Sequence, residues 1–415
     1  MDVRSEGRIE VLDKPEEVGL SAERLGRIEP FFQREYVDTG KLAGLVTLVA
    51  RRGQVAHLAA FGQRDLEAGA AMETDTIFRI YSMTKPITSV ALLSLYEEGR
   101  FQLDDPVSRF IPSWADLRVW SDGTPLKYTT EFPEREMQIR DLLTHTSGLT
   151  YGFMGRHPLD ALYRRKKVEK DAAKDLGEMI ETLADLPLLF SPGTQWSYSV
   201  ATDVCGYLCE VISGQPFDRF LAERIFEPLG MVDTGFSVPA DKVDRLAANY
   251  AWTAGDPLHL FDAPERSTYL AQPGFLSGGG GLVSTAHDYL RFALMLANRG
   301  ELDGRRVLGR KTVEYMTRNH LPGGGDLASM GQKVFSEVSY EGIGFGLGVS
   351  VVLDPSAAGV VGSEGAHGWG GAASTNFSVD RSEELVTIIL AQLMPSSQYP
   401  IRREMSSLAY QALIA

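Results

Sequence analysis

The octapeptide Phe78-Arg79-Ile80-Tyr81-Ser82-Met83-Thr84-Lys85 joins an extended approach, Asp75 to Tyr81, to a strong helical pattern over Lys85 to Glu98. Gly99 then supplies the left-handed residue that ends such a helix. Pro86 falls in the first turn, where its missing N–H is harmless. The S-x-x-K of Ser82 and Lys85 therefore sits at a helix N-terminus, with the lysine one turn on and on the same face. A serine hydroxyl is a poor nucleophile until a base takes its proton. A lysine serves as that base when burial and neighbours lower its pKa. The helix N-terminus also leaves the Ser82 N–H free to donate to an oxyanion. Capping of the helix by Ser82 is the plain alternative. It leaves Lys85 without a role.

Working outward, Ala43 to Arg51 and Gln54 to Phe61 read as two strands joined at Arg52-Gly53, a hairpin signal. The far end mirrors them. Phe345 to Leu353, Ala372 to Asp380 and Leu385 to Met394 read as strands, and Ile401 to Ile414 as a closing helix. Between lie mostly helices: Met137 to Thr144, Lys170 to Ala184, Ala201 to Ser213, Pro216 to Ile225 and Thr285 to Ala297. Leu20 to Tyr36 reads as an amphipathic helix with Ser21 as N-cap. The pattern predicts an α/β fold whose sheet is built from both ends of the chain. Residues 1–85 and 300–415 form that unit, and 86–299 form a mainly helical insertion.

With 415 residues, 44% apolar and 23% charged, the chain can bury a large core without staples. That excludes a disulfide scaffold, a coiled coil and a disordered protein. Its length alone gives a prior of two to three domains. The net charge is −14, from 41 basic and 55 acidic residues. Such a surface repels phosphate backbones, so no nucleic-acid partner is expected. The basic run Arg164-Arg165-Lys166-Lys167 reads as a solvated helix face. Cys205 and Cys209, four apart on a helix, cannot bridge without strain and read as buried thiols. The first ten residues lack an apolar signal segment, and the longest apolar runs reach about half a membrane span. A cytoplasmic protein without membrane contact is expected; oligomeric state stays open.

Common enzyme templates are missing. There is no H-E-x-x-H and no G-x-S-x-G, and the seven histidines show no ligand spacing. No metal and no cofactor are expected. The glycine clusters Gly278 to Gly281 and Gly323 to Gly325 lack the context of phosphate loops. Two further segments join the S-x-x-K: Ser191-Pro192-Gly193-Thr194-Gln195-Trp196-Ser197-Tyr198-Ser199, and His367-Gly368-Trp369-Gly370-Gly371-Ala372 just before a strand.

With these segments in this order, the chain resembles the serine β-lactamase and penicillin-binding-protein family. Within it, the chain is similar to the class C-related esterases called family VIII carboxylesterases, over roughly Leu20 to the C-terminus. Leu142 to Leu149 (L-L-T-H-T-S-G-L) and Gly278 to Ala286 (G-G-G-G-L-V-S-T-A) support the likeness. The resemblance implies a β-lactamase/transpeptidase-like fold. It also implies a serine carboxylesterase that hydrolyses short- to medium-chain esters through an acyl-enzyme. Ser82 is then the nucleophile and Lys85 its proton acceptor. Tyr198, matching the tyrosine of Y-x-N, protonates the leaving group and activates water. Trp369-Gly370-Gly371 takes the place of K-T-G, and the Ala372 N–H becomes the second oxyanion donor. A β-lactamase or D-alanyl peptidase, an acyltransferase, and a non-catalytic binder are the rivals.

Two positions depart from the β-lactamase pattern. Val200 stands where those enzymes carry asparagine, and Trp369 where they carry lysine. An indole in place of a cation favours an apolar acyl or alcohol group. His367 reads first as structural; if protonated, it would restore some positive charge. His145 reads as structural, and Asp203 as helix-start electrostatics. Tyr81 reads as packing or as a pocket wall. Tyr128, Phe132, Phe153 and Trp252 are candidates for lining the acyl pocket.

Overall fold

The computed structural model describes residues 9–169, 175–331 and 340–415. Its main sheet has eight strands. In chain order they are β1 (Gly44–Arg51), β2 (Gln54–Asp65), β3 (Ala70–Ala71), β4 (Ile343–Phe345), β5 (Ser350–Val352), β6 (His367–Gly371), β7 (Thr375–Asp380) and β8 (Leu385–Leu390). The spatial order is β4-β5-β6-β7-β8-β1-β2-β3, antiparallel throughout. The two ends of the chain meet where β1 pairs with β8, Val46 opposite Leu390 and Arg51 opposite Leu385.

Period-two alternation sorts β1 and β8 between two cores. Val46, Leu48, Ala50, Val386, Ile388 and Leu390 face one of them. Leu45, Val49, Leu385 and Ile389 face the other. Both faces are covered, so these strands are mostly apolar, with Thr47, Arg51 and Thr387 as the polar exceptions. The first core holds three helices: α1 (Thr84–Glu97), α2 (Ala201–Ser213) and α3 (Ala286–Ala297). α1 is buried from Thr84 to Leu95. The second core lies under α4 (Ile401–Tyr410) and the N-terminal helices. The first core runs without a break from the sheet into the inserted helices, joining Val46 to Leu92 and Leu183.

Several elements differ from the sequence reading. The helix expected over Leu20–Tyr36 is three pieces: Ala22–Leu25, Ile28–Phe32 and a wider turn over Gln33–Val37. Gly26 and the N–H-lacking Pro30 interrupt it. Ser21 does cap the first piece, accepting from Arg24 N at 3.3 Å. The strand expected over Phe345–Leu353 is the hairpin β4-β5, folded at Gly346–Val349 with Gly348 at φ 91°. His367–Gly371 is itself a strand, β6, and Ala372 lies in the turn to β7. The run Leu385–Met394 leaves the sheet after Leu390, and Leu393–Met394 pairs in parallel with Asn249–Thr253. The closing helix stops at Tyr410, short of Ile414. The helix expected from Lys170 begins at Leu176 with Asp175 as N-cap, and residues 170–174 lie outside the described residues. The other inserted helices fall within their expected ranges, with Phe217–Leu221 continuing into a wide turn over Ala222–Phe226.

Two hairpins of the insertion were not expected, Val119–Thr124 with Lys127–Glu131 and Asn249–Thr253 with Asp256–Asp262. Arg164 to Lys167 are exposed at the end of the helix Pro158–Lys166. Cys205 and Cys209 are buried and free. Among the described residues no helix is long and apolar enough to cross a membrane.

Candidate active site

Ser82 sits in a single 3-10 turn, Tyr81–Met83, between a two-residue strand Phe78–Arg79 and α1. That short strand pairs with Val283–Ser284, and Ile80 N donates to Leu282 O at 3.1 Å. Tyr81 has φ 43°, a left-handed value that side chains disfavour. Its neighbours hold the turn in place. Asn249 Nδ2 donates to Tyr81 Oη at 2.8 Å, and Tyr289 Oη donates to Met83 O at 2.8 Å. The N-cap of α1 is Met83, with no side-chain cap bond. Ser82 is therefore no cap, and its Oγ accepts from Lys85 Nζ at 3.3 Å.

Lys85 is 1% exposed. Its Nζ donates to Gly279 O at 2.6 Å and lies 4.4 Å from the centre of the Tyr198 ring. Tyr198 is set by the segment entering α2. Ser197 N donates to His145 O at 2.9 Å, and Ser199 Oγ pairs with His145 Nδ1 at 3.1 Å. Burial, and then the nearby Lys85, hold His145 well below the ordinary imidazole range. A neutral ring in this place orients the tyrosine segment. Val200, at the asparagine position, is buried and donates its N–H to Thr150 O at 3.3 Å.

The end of β6 closes the other side. A Cβ on Gly371 would lie 2.4 Å from Ile80 O and 2.2 Å from Thr375 Oγ1. Only glycine lets the strand come this close to the nucleophile turn. Arg402 of α4 lies against Gly370, and its Nη2 donates to Gly371 O at 2.7 Å. Trp369 Nε1 donates to Tyr198 Oη at 3.3 Å. The indole is thus a wall and a donor at once. Ser82, Tyr198, Trp369, Gly370, Gly371 and Ala372 all border one largely apolar cavity of about 580 Å³.

Other expected residues divide. Phe153 and Trp252 line the cavity. Tyr128 instead stacks on Trp120 with ring centres 4.7 Å apart, and Phe132 is exposed beneath Arg118. The Tyr81 ring is not part of the cavity wall; burial pushes its hydroxyl up to about 12. His367 does line the cavity. Burial and then Arg381 bring its pKa down to about 4. It is neutral near pH 7 and supplies no replacement for the missing lysine charge.

The family model described as Beta-lactamase matches residues 32–411. The chain belongs to the beta-lactamase family. Esterase EstB of Burkholderia gladioli is 34% identical over 371 residues, covering 84% of this chain and 86% of that esterase. The solved structure of EstCE1, "a hydrolase with promiscuous acyltransferase activity", has a TM-score of 0.77 at 26% identity, covering 94% of this chain and 99% of that one. Simvastatin synthase of Aspergillus terreus, in a mutant form, gives 0.79 at 25% identity, covering 95% and 98%. These relatives place the chain on the family VIII esterase side of the beta-lactamase family.

For this beta-lactamase family member, sequence reasoning missed the role of a further residue. Asp203 lies in the first turn of α2, as expected, but helix-start electrostatics do not account for it. Its carboxylate is buried, and Oδ1 accepts from Ser277 Oγ at 2.5 Å and from Gly279 N at 2.9 Å. Burial raises its pKa, opposed first by the Lys85 charge and then by these donors. The sequence carried only a partial hint. An acid inside an otherwise apolar helix face needs buried partners.

Proposed function

We propose that the protein is a serine carboxylesterase acting on short- to medium-chain esters, with Ser82 as the acylated nucleophile. One observation carries the reading: Lys85 Nζ lies 3.3 Å from Ser82 Oγ at the wall of an apolar cavity that Tyr198 also borders. Kinship with Esterase EstB and EstCE1 supports it. Ser82 Oγ attacks the ester carbonyl while Lys85, assisted by Tyr198, takes the proton. The N–H groups of Ser82 and Ala372 receive the oxyanion, with Gly370 and Gly371 keeping the strand close enough to do so. Lys85 and Tyr198 return the proton to the departing alkoxide. Water then attacks the acyl-enzyme by the same route and frees Ser82. Trp369 provides an apolar wall where a β-lactam carboxylate would seek a cation. His367 and Tyr81 serve as neutral supports of β6 and of the nucleophile turn.

Ser82→Ala is expected to abolish hydrolysis of p-nitrophenyl butyrate. Near-wild-type turnover by that variant overturns the assignment. The apolar wall also favours a second reading, acyl transfer to an alcohol in competition with water. Product analysis with added alcohol separates the two. Two buried free thiols, Cys205 and Cys209, support a reducing, cytoplasmic setting.

A further inference from the structure

The loop Ser277–Gly281 is laced to two helices at once. On the α1 side, Thr88 Oγ1 donates to Gly278 O at 2.8 Å, Lys85 Nζ to Gly279 O at 2.6 Å, and Leu282 N to Thr84 Oγ1 at 3.2 Å. On the α2 side a single group holds it, the Asp203 carboxylate, through Ser277 Oγ and Gly279 N. A Cβ on Gly279 would lie 2.6 Å from Asp203 Oδ2 and 3.0 Å from Tyr151 Oη. The backbone is thus pressed directly onto the acid. Gly279 is bonded at both ends, its N–H to Asp203 and its carbonyl to Lys85.

We propose that Asp203 is a positioning residue for Lys85. It fixes the loop so that the Gly279 carbonyl meets Nζ, and its buried negative charge stabilises the ammonium that forms when Lys85 takes the Ser82 proton. The idea rests on the acyl-enzyme reading above. The nearest acceptor of Lys85 Nζ is a backbone carbonyl, so a developing ammonium needs charge from farther off. The titratable groups around Lys85 are Tyr198 and Tyr151, whose rings it faces at 4.4 and 5.4 Å, together with His145 and Asp203. Burial, followed by Asp203, keeps the Tyr151 hydroxyl well above its ordinary range, and His145 is held neutral. That leaves Asp203 as the acid coupled to Lys85 among the described residues. A buried acid that orients a base and balances its charge is a recurring device in acyl transfer.

The test compares Asp203→Asn and Ser277→Ala with the wild-type chain on p-nitrophenyl butyrate. Asparagine keeps the shape and, with its amide oxygen at the Oδ1 position, can still accept from both Ser277 and Gly279, but it carries no charge. The expected result is a fall in kcat of about 10- to 100-fold with KM nearly unchanged. The acid limb of kcat/KM moves to lower pH, because an ammonium without its counter-charge loses its proton more readily. Ser277→Ala keeps the carboxylate. Its kcat falls about fivefold and the limb stays in place. A merely structural acid would lower thermal stability and activity together and leave the limb where it is. A folded Asp203→Asn with the wild-type limb overturns the proposal. If that variant does not fold, wild-type kcat in Ser277→Ala overturns it instead. Ser82→Ala is run alongside. If it stays active, the acyl-enzyme reading fails; if it is inert while Asp203→Asn behaves as wild type, the positioning role alone fails.

Discussion

At the scale of single residues, the site depends on what surrounds the Tyr198 hydroxyl. Trp369 Nε1 donates to it at 3.3 Å, from the strand position that the sequence had marked as a lost cation and an apolar wall. Tyr198→Phe removes the proton carrier, and kcat should fall about 10²–10⁴-fold. Trp369→Phe keeps the apolar wall but not the donor, and the loss should be about tenfold. Steady-state rates on one p-nitrophenyl ester measure both. Equal losses in the two variants would contradict this ordering. The sequence made Ser82, Lys85 and Tyr198 visible because each lies in a contiguous motif. Asp203 stayed hidden because its two partners are 74 and 76 residues away. A helix-start acid and a clamp on a distant loop look the same until the loop is placed.

At the scale of elements, the decisive contact is the end of β6 against the nucleophile turn. Gly371→Ala would put a Cβ 2.4 Å from Ile80 O. The strand must retreat, taking Ala372 with it. Overpacking of this kind costs about 1–3 kcal/mol. Activity should suffer more than stability, because a displaced oxyanion donor costs about 10²–10³-fold in rate. Urea unfolding and kcat measured on the same preparation test this. A variant that loses stability and keeps full kcat would show that β6 does not position the donor. The first hairpin was legible because Arg52 and Gly53, at φ 52° and 77°, sit between two apolar runs. The β4-β5 hairpin was not, since Phe345 to Leu353 reads as one apolar run. The strand Lys127–Glu131 was missed for a different reason. None of its residues is buried, so it carries no apolar alternation to read.

At the scale of the whole molecule, the sheet closed by β1 and β8 makes each end of the chain depend on the other. The strands that meet there were readable from both termini, since burial on two faces leaves long apolar runs. A partly buried polar pair lies beside this seam. His57 on β2 bonds Thr47 on β1, Nε2 to Oγ1 at 2.9 Å. Burial lowers the His57 pKa from 6.5 to about 4. Between those two values the unfolded chain binds the proton and the folded chain does not. The stability tied to neutral His57 is therefore complete above pH 6.5 and is lost as the pH falls toward 4. A shift of this size corresponds to about 3 kcal/mol. Acidification also carries the chain from a net charge of −14 toward its isoelectric point near 5.1, which relieves self-repulsion and works the other way. A comparison with His57→Gln separates the two effects, because glutamine can still bond Thr47 but cannot take up the proton. The urea midpoint of the wild type should drop further between pH 7 and pH 4.5 than that of the variant. Equal drops would mean that His57 is protonated in the folded sheet, and that the sheet tolerates a charge between β1 and β2.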